Sequence, residues 1–409
     1  MLDINFIREN PDQVKKGIEN KGYSTASVDE VLNLDKKLRE LVGQVNSLRA
    51  ERNNAASSKN IEKGKEIKSK LPVLEKELEK VRIEFIEKLS AIPNLPFDDV
   101  PVGRGEQDNK VIKEVGEIKK PDFSPKDHVE IGEILDIIDF ERGSKVAGAG
   151  FYYLKNEGAI LELALVQYGL NFLREKGYQL IITPDLAKEK YYLGTGFLPK
   201  GPEAQIYKIE ESNLGLIATS EVTLAGFHSD EVIEVSKKYA GYSHCFRIEA
   251  GGYGKYSKGL YRVHQFTKVE MFVYSSIEDS KKIHEELLQL EEEFWQSLEI
   301  PYRVLEMCTG DLGAQAAKKY DLEAYMLGRG EYGEVTSTSN TTDYQARRLG
   351  IRYRSDGENE YVHTLNGTLV ATSRAIIAIL ENFQQEDGSV KIPEVLQKYT
   401  GFSEIRLKK

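Results

Sequence analysis

The chain has 409 residues, of which 40% are hydrophobic and 30% are charged, and its formal net charge is −10. This length and apolar content suit two or three folded domains, and the acidic balance argues against general coating of nucleic acid while allowing a local basic patch. No apolar run approaches the roughly 18 residues of a membrane span, and the N-terminus lacks a signal peptide, so we expect a cytoplasmic protein with no membrane partner. Two cysteines, Cys245 and Cys308, and six scattered histidines fit a reducing compartment and predict no zinc site.

The first hundred residues are predicted to form a separate domain. Residues 3–22 predict one or two short helices, with Pro11 at a helix start. The segment 93–109, PNLPFDDVPVGRGEQDN, contains three prolines and few apolar pairs, which is typical of a linker. We therefore predict an N-terminal domain over residues 1–100 and a second domain over residues 101–409.

Two hydrophobic runs with heptad spacing lie inside the N-terminal domain. They extend from Val31 to Ala55 and from Ile67 to Phe85, and together they predict an antiparallel helical hairpin over about residues 27–92. Pro72 falls within the second run and has no amide hydrogen to donate, so we expect the helix to kink or restart at Leu71.

The outer part of this hairpin is basic although the chain is acidic. Residues 49–70 contain seven cations against three carboxylates. A basic tip is the expected footprint of a contact with nucleic-acid phosphates. From spacing alone, a coiled coil that dimerises and carries ordinary solvated charges is the simpler interpretation. The seven cations are Arg49, Arg52, Lys59, Lys63, Lys65, Lys68 and Lys70.

Beyond the linker, strands and helices occur in groups without βαβ alternation. Strands dominate between Tyr178 and Ser276. The predicted helices are Asp127–Phe140, Ala159–Lys176, Ser280–Leu298 and Ala371–Gln384. This grouping favours an antiparallel sheet of the α+β class. The sequence has no P-loop and no G-x-G-x-x-G motif, so a nucleotide would have to be held by another device.

The stretch from Cys245 to Met271 predicts two strands joined by an oversized loop that contains Lys255, Lys258 and Arg262. Most hairpin loops have about 2–5 residues, so this basic loop is expected to bind an anion. Four charged residues would line one surface of the paired strands: Arg247, Glu249, Lys268 and Glu270. A solvated sheet face with salt bridges explains the same spacing equally well.

Three later stretches place polar residues where a cleft could form. Leu216–Glu221, LIATSE, predicts a strand that ends on two hydroxyls and a carboxylate. In the run EVTSTSN, Glu334 and Ser337 could hold a hard divalent cation beside phosphates. Arg374 lies in the first turn of the last long helix, before an apolar stretch, and we favour a half-buried, anion-binding guanidinium over a solvated one.

Taken together, these stretches resemble the class II aminoacyl-tRNA synthetases and, within them, the seryl-tRNA synthetases. The three class motifs are matched by Gly177 to Pro184, by Phe246 to Glu249 with Arg262 to Phe266, and by Leu365 to Arg374. The seryl branch is indicated by Thr219-Ser220-Glu221, Lys268-Val269-Glu270-Met271, CTGDLGAQAAKKYDLEAY, EVTSTSN with DYQARR, and ENFQQEDGSVKIPEVLQKY. Ordered agreement along a whole chain is more specific than any single motif.

The resemblance implies that serine and ATP form seryl-adenylate and that serine then passes to the 3′ end of tRNA(Ser); charging of tRNA(Sec) stays open. The implied catalytic residues are Arg247, Arg374 and Glu334, and Mg²⁺ is expected on Glu334 and Ser337. The implied serine site comprises Thr219, Glu221, Arg247, Glu270 and Thr368. The implied ATP site comprises Arg247, Ile248, Glu249, Val263, Glu334, Val335, Thr336, Ser337 and Arg374.

The resemblance also implies partners. In this family the first motif lies at a homodimer interface, and the helical hairpin grips the long variable arm of the tRNA. A related enzyme for threonine, proline, glycine or histidine would generally carry an anticodon-binding domain, whereas only 35 residues follow Arg374. The alternatives are a ligase that loads a carrier protein and a non-catalytic tRNA-binding scaffold.

Overall fold

The computed structural model describes residues 1–119, 121–197, 206–249 and 259–407. The chain forms two compact units, Met1–Pro96 and Phe97–Lys409.

The N-terminal unit is helical. Its helices are α1 (Ile4–Glu9), α2 (Pro11–Asn20), α3 (Ala26–Ser57) and α4 (Ile61–Ala91). Asp3 caps α1 by accepting a hydrogen bond from the amide of Asn5, and Pro11 occupies the first position of α2, where its missing amide hydrogen has no helical partner to lose. Asn60 caps α4 by accepting from the amide of Lys63.

Helices α3 and α4 form the predicted antiparallel hairpin. Val45, Ile67 and Leu71 form a buried cluster in its outer half. Arg49 on α3 reaches Glu75 on α4 at 2.7 Å. The heptad positions therefore form the seam, because apolar side chains every three and four residues fall on one face of each helix.

Helix α4 continues through Pro72 without interruption, so of the kink or restart predicted at Leu71 the restart is wrong. Proline removes one intrahelical hydrogen bond. Leu71 is 4% exposed and packs in the seam with Val45 and Ile67, with the partly buried Leu74 beside them. We attribute the continuity to this packing on both sides of the proline.

The second unit contains nine of the described helices and all seventeen described strands. The helices are α5 (His128–Ile134), α6 (Phe140–Ala147), α7 (Asn156–Glu175), α8 (Glu189–Thr195), α9 (Glu221–Gly226), α10 (Ser280–Ser297), α11 (Tyr344–Leu349), α12 (Thr372–Asn382) and α13 (Glu394–Thr400). The strands are β1 (Lys110–Val115), β2 (Ile138–Asp139), β3 (Tyr153–Leu154), β4 (Gln179–Ile182), β5 (Leu186–Lys188), β6 (Leu214–Leu216), β7 (Val232–Ile233), β8 (Lys237–Phe246), β9 (Gln265–Ser275), β10 (Tyr302–Glu306), β11 (Lys318–Met326), β12 (Glu331–Asn340), β13 (Arg352–Ser355), β14 (Glu358–Tyr361), β15 (His363–Ala371), β16 (Val390–Lys391) and β17 (Glu404–Ile405).

Eight strands form the main sheet in the order β1-β10-β11-β12-β15-β9-β8-β4. Every neighbouring pair is antiparallel except β4 and β8, which are parallel. Helices α7, α10 and α12 contribute to one apolar cluster with the sheet. Because side chains alternate along a strand, covering one face in this way leaves the other face for polar residues. The predicted α+β class is confirmed.

Three local predictions need correction. The helix expected to run to Phe140 ends at Ile134, because Asp136 adopts a positive φ of 54° and the chain turns into β2. The strand expected over Leu216–Glu221 ends at Leu216, and Glu221 instead begins α9.

The third correction concerns the predicted position of Arg247 and Glu249 on a strand. They lie beyond the end of β8 at Phe246 rather than on one face of a strand, and Glu249 has a φ of 49°. Lys255 and Lys258, expected in the loop that follows, lie outside the described residues.

Candidate active site

The polar face of the main sheet contains a cavity of about 260 Å³. Apart from Ile248, every residue predicted for the serine and ATP sites lines this cavity. Ile248 follows Arg247 in the chain and is half-buried. The structure thus brings together residues that are up to 155 positions apart, from Thr219 to Arg374.

Strand register explains why these side chains meet. Glu270 on β9 lies opposite Thr368 on β15, and Ser337 on β12 lies opposite Asp321 on β11. Side chains opposite each other on paired strands share a face of the sheet. Rows of polar side chains therefore cross the sheet from one strand to the next.

One end of the cavity holds a buried group formed by Thr219, Lys268 and Glu270. The Thr219 hydroxyl donates to Glu270 Oε2 at 2.7 Å and accepts from Lys268 Nζ at 2.7 Å. Lys268 also forms an ion pair with Glu270, whose side chain is 1% exposed. The charge of the Glu270 carboxylate is thus compensated by a partner within the protein.

Glu221 lies beside this group and is held by amide groups. Gln345 Nε2 donates to Glu221 Oε1 at 2.7 Å. Asn366 Nδ2 donates both to Glu221 Oε2 at 3.2 Å and to Glu270 Oε1 at 3.3 Å, and so joins the two carboxylates. Burial, together with the nearby charge of Glu270, raises the pKa of Glu221 to about 7. Glu221 is therefore prepared to accept a cationic group of a ligand.

Arg247 lies on the wall of the cavity with its guanidinium held on two sides. Its Nε donates to the carbonyl oxygen of Ala218 at 3.4 Å, and the guanidinium carbon lies 5.1 Å from the centre of the Phe266 ring. These contacts leave the terminal nitrogens of the guanidinium for an anionic ligand.

At the other end, Arg374 and Glu334 form an ion pair. Arg374 Nη1 lies 3.1 Å from Glu334 Oε1, and the Arg374 guanidinium carbon lies 4.8 Å from the centre of the Tyr261 ring. Burial alone would raise the pKa of Glu334, but the charges of Arg374, Lys319 and Arg247 lower it to about 2. The Arg374 side chain is 18% exposed, so it is half-buried, as the sequence predicts.

The side chains of Glu334 and Ser337 suit a magnesium ion. Glu334 is ionised at neutral pH and its side chain is 41% exposed. Mg²⁺ commonly takes one or two protein carboxylates and completes its shell with phosphate oxygens and waters. Among the described residues there is no group of three or more His, Cys, Asp or Glu side chains that could hold a metal. A magnesium ion here would therefore need oxygen atoms from a bound ligand.

Sequence reasoning did not assign functions to several polar residues at this site. Gln345 lies in the stretch DYQARR, which follows EVTSTSN, but its contact with Glu221 joins residues 124 positions apart and is not visible in the sequence. Lys319 and Asp321 both face the cavity side of β11, and burial together with the charge of Glu334 raises the pKa of Asp321 to about 6. Asn366 lies in the third class motif. Its hydrogen bonds to Glu221 and Glu270 join residues that are far apart in sequence, so the motif alone does not reveal them.

The seven predicted cations of the hairpin lie on α3, on α4 and in the turn that joins them, and all seven are exposed. Three of them pair with carboxylates of the hairpin: Arg49 with Glu75, Lys63 with Glu51 and Lys70 with Glu66. Within the described part of the N-terminal unit, Arg52, Lys59, Lys65 and Lys68 form no ion pair. Arg262, at the far end of the loop after β8, pairs with Glu249 at 3.2 Å.

Two family models match the chain. The model described as the seryl-tRNA synthetase N-terminal domain covers residues 1–96. The model described as the tRNA synthetase class II core domain (G, H, P, S and T) covers residues 207–383. In the described ranges, no helix combines the length and the apolar character needed to cross a lipid bilayer.

The similarity extends over whole chains. The chain is 52% identical to the serine–tRNA ligase of Dictyoglomus turgidum, and the alignment covers 100% of both chains. It is 51% identical to the serine–tRNA ligase of Rubrobacter xylanophilus over 98% of both. The crystal structure of seryl-tRNA synthetase from Pyrococcus horikoshii complexed with ATP superimposes with a TM-score of 0.93 and 44% identity, covering 100% of both chains.

Proposed function

Because the chain belongs to the seryl-tRNA synthetase family and is a serine–tRNA ligase, we propose that it converts L-serine and ATP into seryl-adenylate and then transfers serine to the 3′ end of tRNA(Ser). One observation carries this proposal. A single cavity contains the guanidinium groups of Arg247 and Arg374 together with the buried carboxylates of Glu221 and Glu270. Cations for a triphosphate and carboxylates for an amino acid thus face one space.

Serine binds at the end of the cavity that contains Glu221 and Glu270. Its ammonium group lies beside Thr219 and Glu221, and its hydroxyl lies beside Glu270 and Thr368. These polar groups are buried, so alanine would leave them without a partner, and such a site can discriminate by about 10⁴ to 10⁵. Threonine is rejected by lack of room for its methyl group.

ATP binds across the rest of the cavity in a bent conformation. Arg247 contacts the α-phosphate and the serine carboxylate, and Arg374 contacts the γ-phosphate. The base lies beside Glu249, which meets the adenine amino group, and beside the backbone of Val263. The other contributions come from Ile248 and from the strand segment Glu334 to Ser337.

The first reaction step is attack of a serine carboxylate oxygen on the α-phosphorus. A new phosphorus–oxygen bond forms, the bond to the β-phosphate breaks, and pyrophosphate leaves. Arg247 lies where negative charge increases during this step and stabilises it. A magnesium ion on Glu334 and Ser337 would supply further positive charge at the phosphate oxygens. In the second step a hydroxyl of the terminal tRNA ribose attacks the serine carbonyl, and AMP leaves.

The helical hairpin binds the tRNA. Seven exposed cations between Arg49 and Lys70 are suited to phosphate contacts along the long variable arm of tRNA(Ser), where shape and backbone are recognised in place of base sequence. The same contacts would admit tRNA(Sec) if its variable arm has a similar shape.

Two further properties belong to the proposal. Edge strand β4 and helix α7 expose Ile182 at 79% and Leu163 at 66%, and large exposed apolar side chains on neighbouring elements support burial in a homodimer. The cysteines Cys245 and Cys308 are free and buried, which supports a reducing compartment, the cytoplasm.

Serine-dependent exchange of pyrophosphate into ATP tests the activation step. We expect exchange by the unaltered protein, and a loss of at least about 10²-fold in Arg247→Ala, since each oriented donor to a developing charge contributes about that factor. Arg354→Ala, an exposed position on β13, is the matched control. Absence of serine-dependent exchange in the unaltered, folded protein would refute the proposal. Charging of purified tRNA(Ser) then separates a synthetase from a ligase that loads a carrier protein.

A further inference from the structure

Lys319 is a cavity residue to which neither the motifs nor the serine and ATP assignments give a function. It lies on β11 opposite Ser339, and its side chain is 22% exposed. It lines the 260 Å³ cavity and also a second cavity of about 330 Å³. The two cavities share Tyr261, Glu334 and Arg374 as well. Lys319 therefore lies at the boundary between the cavity proposed to bind the triphosphate and the second cavity.

The neighbours of Lys319 keep its ammonium charged. Burial by itself would lower the pKa of Lys319, but the charges of Asp321, Glu334 and Asp311 raise it overall. Arg374 lies 3.1 Å from Glu334, and the charge of Lys319 also lowers the pKa of Glu334. The charged groups of this region thus converge on one carboxylate.

The ion pair of Lys319 is longer than those of Lys318, its neighbour on the same strand. Lys319 Nζ lies 3.3 Å from Asp321 Oδ1. The neighbouring Lys318, which points to the opposite face of the strand, lies 2.7 Å from Asp99 and 2.9 Å from Glu306. An ammonium on a flexible stem with a long ion pair can turn to a stronger anion.

We propose that Lys319 is a further substrate-binding residue that contacts the pyrophosphate end of the triphosphate and the pyrophosphate that leaves. This inference rests on the proposed function. A polyphosphate carries several negative charges. The carboxylate of Glu334 lines both cavities and that of Asp321 lines the second, so Arg247 and Arg374 alone do not balance the charge. Lys319 supplies a third cation at this end of the proposed site. The second cavity, which is lined by Arg262 and Arg303 and also by the carboxylates of Glu106, Asp311 and Glu323, adjoins the same end.

The test uses Lys319→Met, which keeps the length of the side chain and removes its charge, and Lys319→Arg, which restores the charge. In the exchange assay we expect Lys319→Met to raise the KM for pyrophosphate and for ATP about tenfold or more, because it removes a charge-assisted contact. The KM for serine should stay within about twofold. Lys319→Arg should recover most of the loss. Lys282→Met, with a side chain 78% exposed on α10, is the matched control.

Calorimetric titration with magnesium pyrophosphate provides a readout besides activity, and it should show the same loss of affinity. To separate contact from an indirect effect, Lys319→Met is also made in the Asp321→Asn background. If Lys319 contacts pyrophosphate, its loss still weakens binding there; if it only neutralises Asp321, the effect disappears and the inference is overturned. Unchanged pyrophosphate affinity in a folded Lys319→Met protein overturns it too. Absence of exchange in the unaltered protein would count against the proposed function instead.

Discussion

Replacing Glu221 by glutamine should stabilise the unliganded protein at alkaline pH while weakening serine binding. The carboxylate of Glu221 is buried, with the residue 3% exposed, and its partners Gln345 and Asn366 are neutral amides. Burial and the charge of Glu270 raise its pKa from 4.5 to about 7. Ionised Glu221 therefore destabilises the folded protein.

The magnitude follows from this pKa change. At about 1.4 kcal/mol for each pKa unit, ionising Glu221 costs the folded state about 3 kcal/mol relative to the unfolded chain. The pKa of Glu221 is higher in the folded protein than in the unfolded chain. The contribution of Glu221 to the free energy of unfolding is therefore fully present below pH 4.5 and is lost as the pH rises through about 7. A glutamine does not ionise, but its NH₂ group would face the NH₂ group of Asn366, so that two donors meet and one hydrogen bond is lost. This loss costs about 1 kcal/mol. We therefore expect Glu221→Gln to raise the free energy of unfolding by about 2 kcal/mol at pH 8.

The assay is chemical denaturation at pH 5 and pH 8, together with the KM for serine in the exchange reaction between pH 6 and pH 8. In the unaltered protein the ammonium of serine needs the ionised carboxylate, so the KM for serine should rise toward tenfold for each pH unit below 7. Glu221→Gln should lose this dependence. Glu278→Gln, at an exposed position, is the control. Equal stability of Glu221→Gln and unaltered protein at pH 8, or a KM for serine that does not change with pH, would refute the reasoning.

Three other predictions concern separate parts of the molecule. Deleting residues 47–74, the outer hairpin, should leave pyrophosphate exchange intact and abolish tRNA charging; loss of exchange in the folded deletion protein would contradict a separable arm. Glu291 is fully buried and accepts a hydrogen bond from Thr336, and burial raises its pKa well above 4.5, so Glu291→Gln should leave the denaturation midpoint unchanged near pH 4 and raise it increasingly as the pH rises above 4.5. Ile182→Asp should convert a dimer into monomers in light-scattering measurements, whereas an unchanged mass would place the interface elsewhere.

The hairpin and the long helices could be predicted because their information is local. In α3 and α4 the seam residues repeat every three and four positions, so the sequence alone identifies the buried face. The same holds for α10 and α12, whose predicted and observed bounds differ by at most two residues. Pro72 misled the prediction, because local propensity does not include the packing that keeps the helix continuous around it.

The segments around the site were less predictable because their geometry depends on distant partners. Arg247 lies beyond the end of β8, and its guanidinium contacts the ring of Phe266 and the carbonyl oxygen of Ala218. Glu221 starts a helix instead of ending a strand, which brings its carboxylate to Gln345, 124 residues away. A pattern of apolar and polar residues does not encode such contacts, and this is where departures from local rules are expected in functional sites.

The two buried carboxylates differ in how their charge is compensated. Glu270 has the ammonium of Lys268 as a direct partner, whereas Glu221 is contacted by amides and its pKa is raised to about 7. A buried carboxylate without an adjacent cation is unfavourable, and Lys268 is already engaged by Glu270 and Thr219. A ligand that brings an ammonium group relieves this cost, while a ligand without one leaves it in place. In the proposed function, this difference would favour an amino acid over a ligand that has no ammonium group.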